Sequence, residues 1–94
     1  MPISPDSAET LALTALAWLV SNDELLPVFL GSTGASESDL RARAGDPVFL
    51  GAVLDFVLMD DAWVLGFCEA VGIRGEEVMR ARQALPGGEQ VDWT

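Results

Sequence analysis

The chain has 94 residues, half of them apolar and 21% charged, with fifteen acids against five basic residues and a net charge of −10. That length and apolar content fit one folded domain with its own core and exclude intrinsic disorder. The acidic balance disfavours nucleic acid and anionic membrane surfaces, and the absence of Lys, His and Tyr removes the commonest general bases and the Schiff-base nucleophile.

In chain order the first helix is predicted from about Pro5 to Ser21. Ser4 stands at the N-cap and proline at the first helical position, where a missing N–H costs nothing. Thr10 to Asn22 is the longest charge-free run, yet it falls short of the ~20 apolar residues that span a bilayer. No basic segment precedes it, so it does not read as a secretory signal. Asn22 or Asp23 then caps a short second helix, in which Pro27 is expected to introduce a kink or confine the regular part to the residues after it. Gly34 stops it.

Ser36-Glu37-Ser38-Asp39 resembles a capping box with Asp at the third position, opening a third helix to Ala44 that Gly45 is expected to end in the left-handed conformation. Asp46-Pro47 repeats the cap-plus-proline logic for a fourth helix to about Met59. Asp60 or Asp61 caps a fifth, which Gly72 closes, and a sixth runs from about Gly75 to Ala84 until Pro86-Gly87-Gly88 breaks it. Nowhere does sustained alternation of period two suggest a strand.

Phe49, Leu50, Val53, Leu54, Phe56, Val57 and Leu58 cover almost the whole circumference of the fourth helix, which places it at the centre of the fold or in an interface. Leu11, Leu16, Trp18, Leu19 and Val20 are expected to flank it. Trp63, Val64, Phe67 and Val71 should close one side, with Phe29, Leu30, Leu40 and Val78 completing the core.

The chain also echoes itself. A shift of 38 positions lays Leu16 on Leu54, Leu19 on Val57, Phe29 on Phe67, Gly34 on Gly72 and Leu40 on Val78. One residue later, Arg41-Ala42-Arg43 meets Arg80-Ala81-Arg82. Helical periodicity in a chain this apolar produces chance matches, but matched glycines and arginine pairs are harder to obtain that way. Two copies are too few for a solenoid, which takes roughly three or more.

Residues with chemical potential are few. Cys68 has no internal disulfide partner, and with Glu69 beside it and apolar neighbours around it reads as a buried, inert thiol in a reducing compartment. Asp60 and Asp61 are adjacent carboxylates, but capping explains them better than a metal, because the loop lacks alternating oxygen ligands. The arginines Arg41, Arg43 and Arg80 each follow an acid by four residues, the spacing of helix-surface pairs worth about 0.2–0.5 kcal/mol. Asp55, the only charge in the fourth helix, lies beside a strip of small residues that includes Gly51 and Ala52. It is either the solvent edge of that helix or a contact point, and if buried it requires an arginine. With Trp18 and Trp63 it makes up the candidate interaction residues; no catalytic, cofactor-binding or metal-ligating residue is assigned.

Both glycine turns, at Gly34 and Gly72, join two short helices in the manner of a helix–turn–helix. Their second helices start with Glu37, Asp39, Glu76 and Glu77, where a DNA-binding version presents polar and basic groups.

The run Pro27-Val28-Phe29-Leu30, Gly34, Ser36-x-x-Asp39-Leu40-Arg41-Ala42-Arg43-Ala44-Gly45-Asp46-Pro47 and Phe49-Leu50-x-x-Val53-Leu54-Asp55-Phe56 resembles a family of short alphaproteobacterial proteins catalogued only as a domain of unknown function. Phe67, Gly72, Arg80-Ala81-Arg82 and Ala84-Leu85-Pro86-Gly87 fit the same pattern, so the resemblance covers most of the chain. Arg74-Gly75 departs from it, where a stronger capping residue and a proline are usual, and leaves the start of the last helix weakly specified. The resemblance implies a cytoplasmic bacterial protein and supplies no activity.

The expectation is therefore an all-α protein, an irregular bundle of five to six short helices over residues 1–87, readable as two pseudo-repeated three-helix units, with a flexible tail at 88–94. Its expected role is a non-enzymatic protein–protein interaction module that docks an apolar face on a protein partner or on a second copy, without cofactor. The alternative is a helix–turn–helix-like nucleic-acid-binding regulator.

Overall fold

The computed structural model describes residues 4–86, which form six helices: α1 (Pro5–Val20), α2 (Leu25–Thr33), α3 (Glu37–Arg43), α4 (Pro47–Leu58), α5 (Asp61–Val71) and α6 (Gly75–Ala84). The tail expected at 88–94, Trp93 included, lies outside the described residues. Helix starts follow the cap chemistry of the sequence. Ser4 accepts from the Ser7 N–H at 3.2 Å, Asp46 from Val48 at 3.0 Å and Asp60 from Ala62 at 2.8 Å. Each satisfies a backbone donor that has no partner inside its helix. Ser36 and Asp39 form a reciprocal box, with the Asp39 N–H on Ser36 Oγ at 3.3 Å and the Ser36 N–H on Asp39 Oδ2 at 2.9 Å. Arg74, which has no capping oxygen, still opens α6 because the Glu77 carboxylate accepts from its N–H at 3.1 Å.

Pro27 neither kinks nor delays its helix. It is the third residue of α2, within the first turn, where an N–H has no helical carbonyl to meet. Asn22 supports that start, its Oδ1 accepting from the N–H groups of Glu24 and Leu25 at 3.1 and 3.2 Å. Gly45 does not take the left-handed conformation expected of it. Among the described residues Gly34 (φ 72°) and Gly72 (φ 75°) alone have positive φ, and both end helices by donating to a carbonyl one turn back, Leu30 and Cys68. After α3 the chain turns through Ala44 in the right-handed region, with the Asp46 N–H on the Arg43 carbonyl, because the Asp46-Pro47 cap comes at once.

The centre is α4. Phe49, Leu50, Gly51, Val53, Leu54, Phe56 and Val57 are all buried, and the helix packs against α1, α5 and α6. What lets α1 come so close is small side chains. Ala8, Ala12, Ala15 and Leu19, spaced along one stripe, are fully buried against α4 and α6. Val20 lies about a third of a turn from that stripe and is 47% exposed, so it is not the core residue expected. An aromatic chain links the layers. Phe29 of α2 meets Phe49 and Phe56 edge-on, with centroids 6.2 and 5.2 Å apart, and Phe56 stacks on Trp63 at 4.6 Å. No helix among the described residues is long and apolar enough to cross a membrane, and α1 and α2 meet at 117°.

The internal echo has a structural counterpart in the order of elements and in matched positions. Phe29 and Phe67 are both fully buried, Leu19 and Val57 likewise, and Gly34 and Gly72 adopt the same left-handed cap. The halves diverge at their last helices. Whereas α6 is wedged against α1, α4 and α5, α3 makes the sparsest approach to its neighbours. It is held by the buried Leu40 and by Arg43, whose guanidinium lies 4.8 Å over the Phe49 ring.

Candidate functional site

Each of the three candidate interaction residues, Asp55, Trp18 and Trp63, has a partner inside the fold. Asp55 projects from the outer face of α4 and is gripped by Arg82 of α6, with Nε to Oδ1 at 2.5 Å and Nη2 to Oδ2 at 2.9 Å. The carboxylate is 57% exposed while Arg82 is 14% exposed, so the arginine packs and the acid reaches out to it. Arg82 Nη1 also donates to the Pro86 carbonyl at 3.2 Å. The passage for this guanidinium is Gly51. A Cβ there would stand 2.8 Å from Arg82 Nη1 and 3.2 Å from the Pro86 oxygen. The small-residue strip seen in the sequence is therefore occupied in part by the chain's own α6. Sequence reading places Arg82 at a helix end but not in this clamp, since nothing local signals a pair 27 residues apart.

Trp18 is partly buried, its ring 5.6 Å from that of Phe67 and under Gly66, while Trp63 is partly buried on Phe56. Each indole serves an intramolecular contact. Of the spaced acid–arginine pairs, Glu76–Arg80 forms at 3.7 Å. Glu37–Arg41 and Asp39–Arg43 do not close among the described residues. Asp39 is committed to the capping box and Arg43 to the Phe49 ring.

An open apolar trough lies between α1 and α3. Leu13, Leu16, Ala17 and Val20 form a stripe at helical spacing along α1, facing Leu40, Arg41 and Ala44 across a trough of about 330 Å³. It continues past Val20 and Leu40 into a second hollow of about 390 Å³ bounded by Leu26, Glu37 and Ser38. Along this stripe Leu13 is 43% and Val20 47% exposed, and Ala17 is exposed between them. The pseudo-repeat explains the opening. In the second half, the positions matching Leu13 and Ala17 are Gly51 and Asp55, across which Arg82 clamps α6 to α4. In the first half the matching arginine, Arg43, turns to Phe49 instead, and the seam between α1 and α3 stays apart.

Chemistry elsewhere is sparse. Burial pushes the Cys68 thiol above its ordinary 9.0, with Glu77 adding to the rise, which opposes thiolate formation at neutral pH. Among the described residues no group of three or more His, Cys, Asp or Glu is placed to hold a metal ion. Asp46, Asp60 and Asp39 each spend their carboxylate on a helix start.

The protein family described as "protein of unknown function (DUF3572)" matches residues 5–88. The chain belongs to this family. The DUF3572 match takes in all six helices, the Asp55–Arg82 clamp and the trough between α1 and α3. No curated protein and no solved structure gives a significant match.

Proposed function

We propose that this DUF3572 protein is a non-enzymatic protein–protein interaction module that works through the trough between α1 and α3. The observation that carries this reading is the unfilled apolar seam itself. A small domain with small buried alanines and a saturated aromatic core leaves Leu13, Ala17 and Val20 in solvent along one line. A non-enzymatic role is supported by the lack of His, Lys and Tyr and by carboxylates committed to capping. A protein partner is favoured over nucleic acid because Glu37 and Asp39 head α3, where phosphates would be repelled. A reducing bacterial cytoplasm suits the single buried cysteine.

The test is site-directed photocrosslinking in cells, with a benzophenone amino acid at Ala17 in the trough or at Glu69 on the exposed side of α5. Discrete adducts from position 17 and none from position 69 are expected. Equal yields from both, or none from position 17, would contradict the reading.

A further inference from the structure

We infer that the trough between α1 and α3 receives an amphipathic helix of another protein, one with basic residues at both ends of its apolar stripe. This rests on the interaction reading above and specifies the partner. The stripe Leu13–Ala17–Val20 is two turns long, about 10 Å at 1.5 Å per residue, which suits the apolar face of a helix of two to three turns.

Charge at its two ends has one dominant sign. On the α1 face that carries Leu13, the preceding turns present Asp6 and Glu9, at helical spacing from it. Beyond Val20 come Asp23 and Glu24 in the connection to α2, and Glu37 lines the far hollow. Arg41 stands as a single cation on the α3 wall between these acidic ends. A ligand that is apolar in the middle and cationic at the ends matches this sequence of surfaces. An anionic one does not.

A second copy of the chain is a poor occupant. It carries a net charge of −10 and five arginines, of which Arg82 is bound to Asp55, Arg80 to Glu76 and Arg43 to Phe49. Two such molecules would meet acid to acid at both ends of the trough.

The experiment titrates the full chain, isotope-labelled for amide NMR, with synthetic helices of about 15 residues. One has a leucine stripe flanked by lysines. A second keeps the stripe but carries glutamates, and a third keeps the lysines with the stripe scrambled. The lysine-flanked helix is expected to move amides of Leu13–Ser21 and Leu40–Ala44, to bind at least about tenfold tighter than the other two, and to weaken as salt is raised. Val20→Ser, or Leu13→Ser should the first variant fold poorly, removes at least about tenfold of that affinity with net charge unchanged.

No binding of the lysine-flanked helix, shifts scattered over the acidic surface, or binding insensitive to both serine variants would overturn the inference. Equal affinity for the glutamate-flanked helix would also overturn it, while leaving the interaction reading intact. So would a dimer in solution that Val20→Ser dissolves, because the trough would then belong to a second copy. The interaction reading itself stands or falls on the crosslinking result.

Discussion

Gly51 and Arg82 meet where α6 packs on α4, so substitutions at the two positions should be coupled. Alanine in a helix interior is favoured over glycine by about 1 kcal/mol. At position 51, however, a Cβ would stand 2.8 Å from the guanidinium and displace it from its two bonds to Asp55. Gly51→Ala should therefore lower stability by about 1 kcal/mol in the native protein. Its effect should become more favourable by at least about 1 kcal/mol in an Arg82→Ala background, where the Pro86 carbonyl at 3.2 Å still crowds the new Cβ. Urea denaturation of the four proteins of this cycle measures it; equal effects in both backgrounds would be inconsistent with the clamp. Asp39 supplies a pH dependence. Hydrogen bonds from the Ser36 backbone and then from its side chain hold the Asp39 carboxyl below its ordinary 3.8, so its contribution is fully present above that pH and is lost as the pH falls through the lowered value. The Ser36 amide resonance should track this titration, with a midpoint below 3.8, and Asp39→Asn should abolish it. A midpoint above 3.8 would refute the assignment.

At the scale of elements, glycines that look alike in the sequence carry opposite expectations. Gly72 ends α5 at φ 75° with nothing within 4 Å of a Cβ, so Gly72→Ala should cost about 1–2 kcal/mol from backbone strain alone. Gly31 lies inside α2 with equally open space and ordinary helical φ, so Gly31→Ala should stabilise by about 0.5–1 kcal/mol. Equal effects in denaturant would contradict both. In α4, Leu54→Ala should cost about 2–5 kcal/mol, a large share of what a domain of this size holds, whereas Leu13→Ala in the open trough should change stability by less than about 1 kcal/mol. Helix identity and order are legible in the sequence because capping residues act locally. Ser4-Pro5, Ser36 with Asp39, Asp46-Pro47 and Asp60 each fix a start within one turn of themselves. Gly45 departs from expectation because left-handed closure needs room before the next cap, and Asp46 leaves none. Pro27 departs from it because its effect depends on where the first turn begins, which Asn22 determines from outside the helix.

For the whole molecule, the central position of α4 can be read from its all-round apolar surface, since burial is the one environment that such a helix tolerates. The consequence of the near-repeat cannot. Composition presents two similar halves, yet exchanging Leu13 and Ala17 for Gly51 and Asp55 closes one seam with Arg82 and leaves the other open. The alanine stripe of α1 is also invisible to a search for large apolar side chains, although it allows α1, α4 and α6 to close together. Trp18, Trp63 and Asp55 draw notice by their chemical type, and each is committed to a neighbour within the fold. The result is a division between a tight assembly of α1, α4 and α6 and a lightly attached α3 that forms one wall of the trough. Residue-resolved amide hydrogen exchange tests this division most directly. Amides of Val53 to Val57 in α4 should exchange only through global unfolding, while those of Leu40 to Arg43 in α3 exchange at least about a hundredfold faster through local opening. Equal protection of α3 and α4 would contradict it.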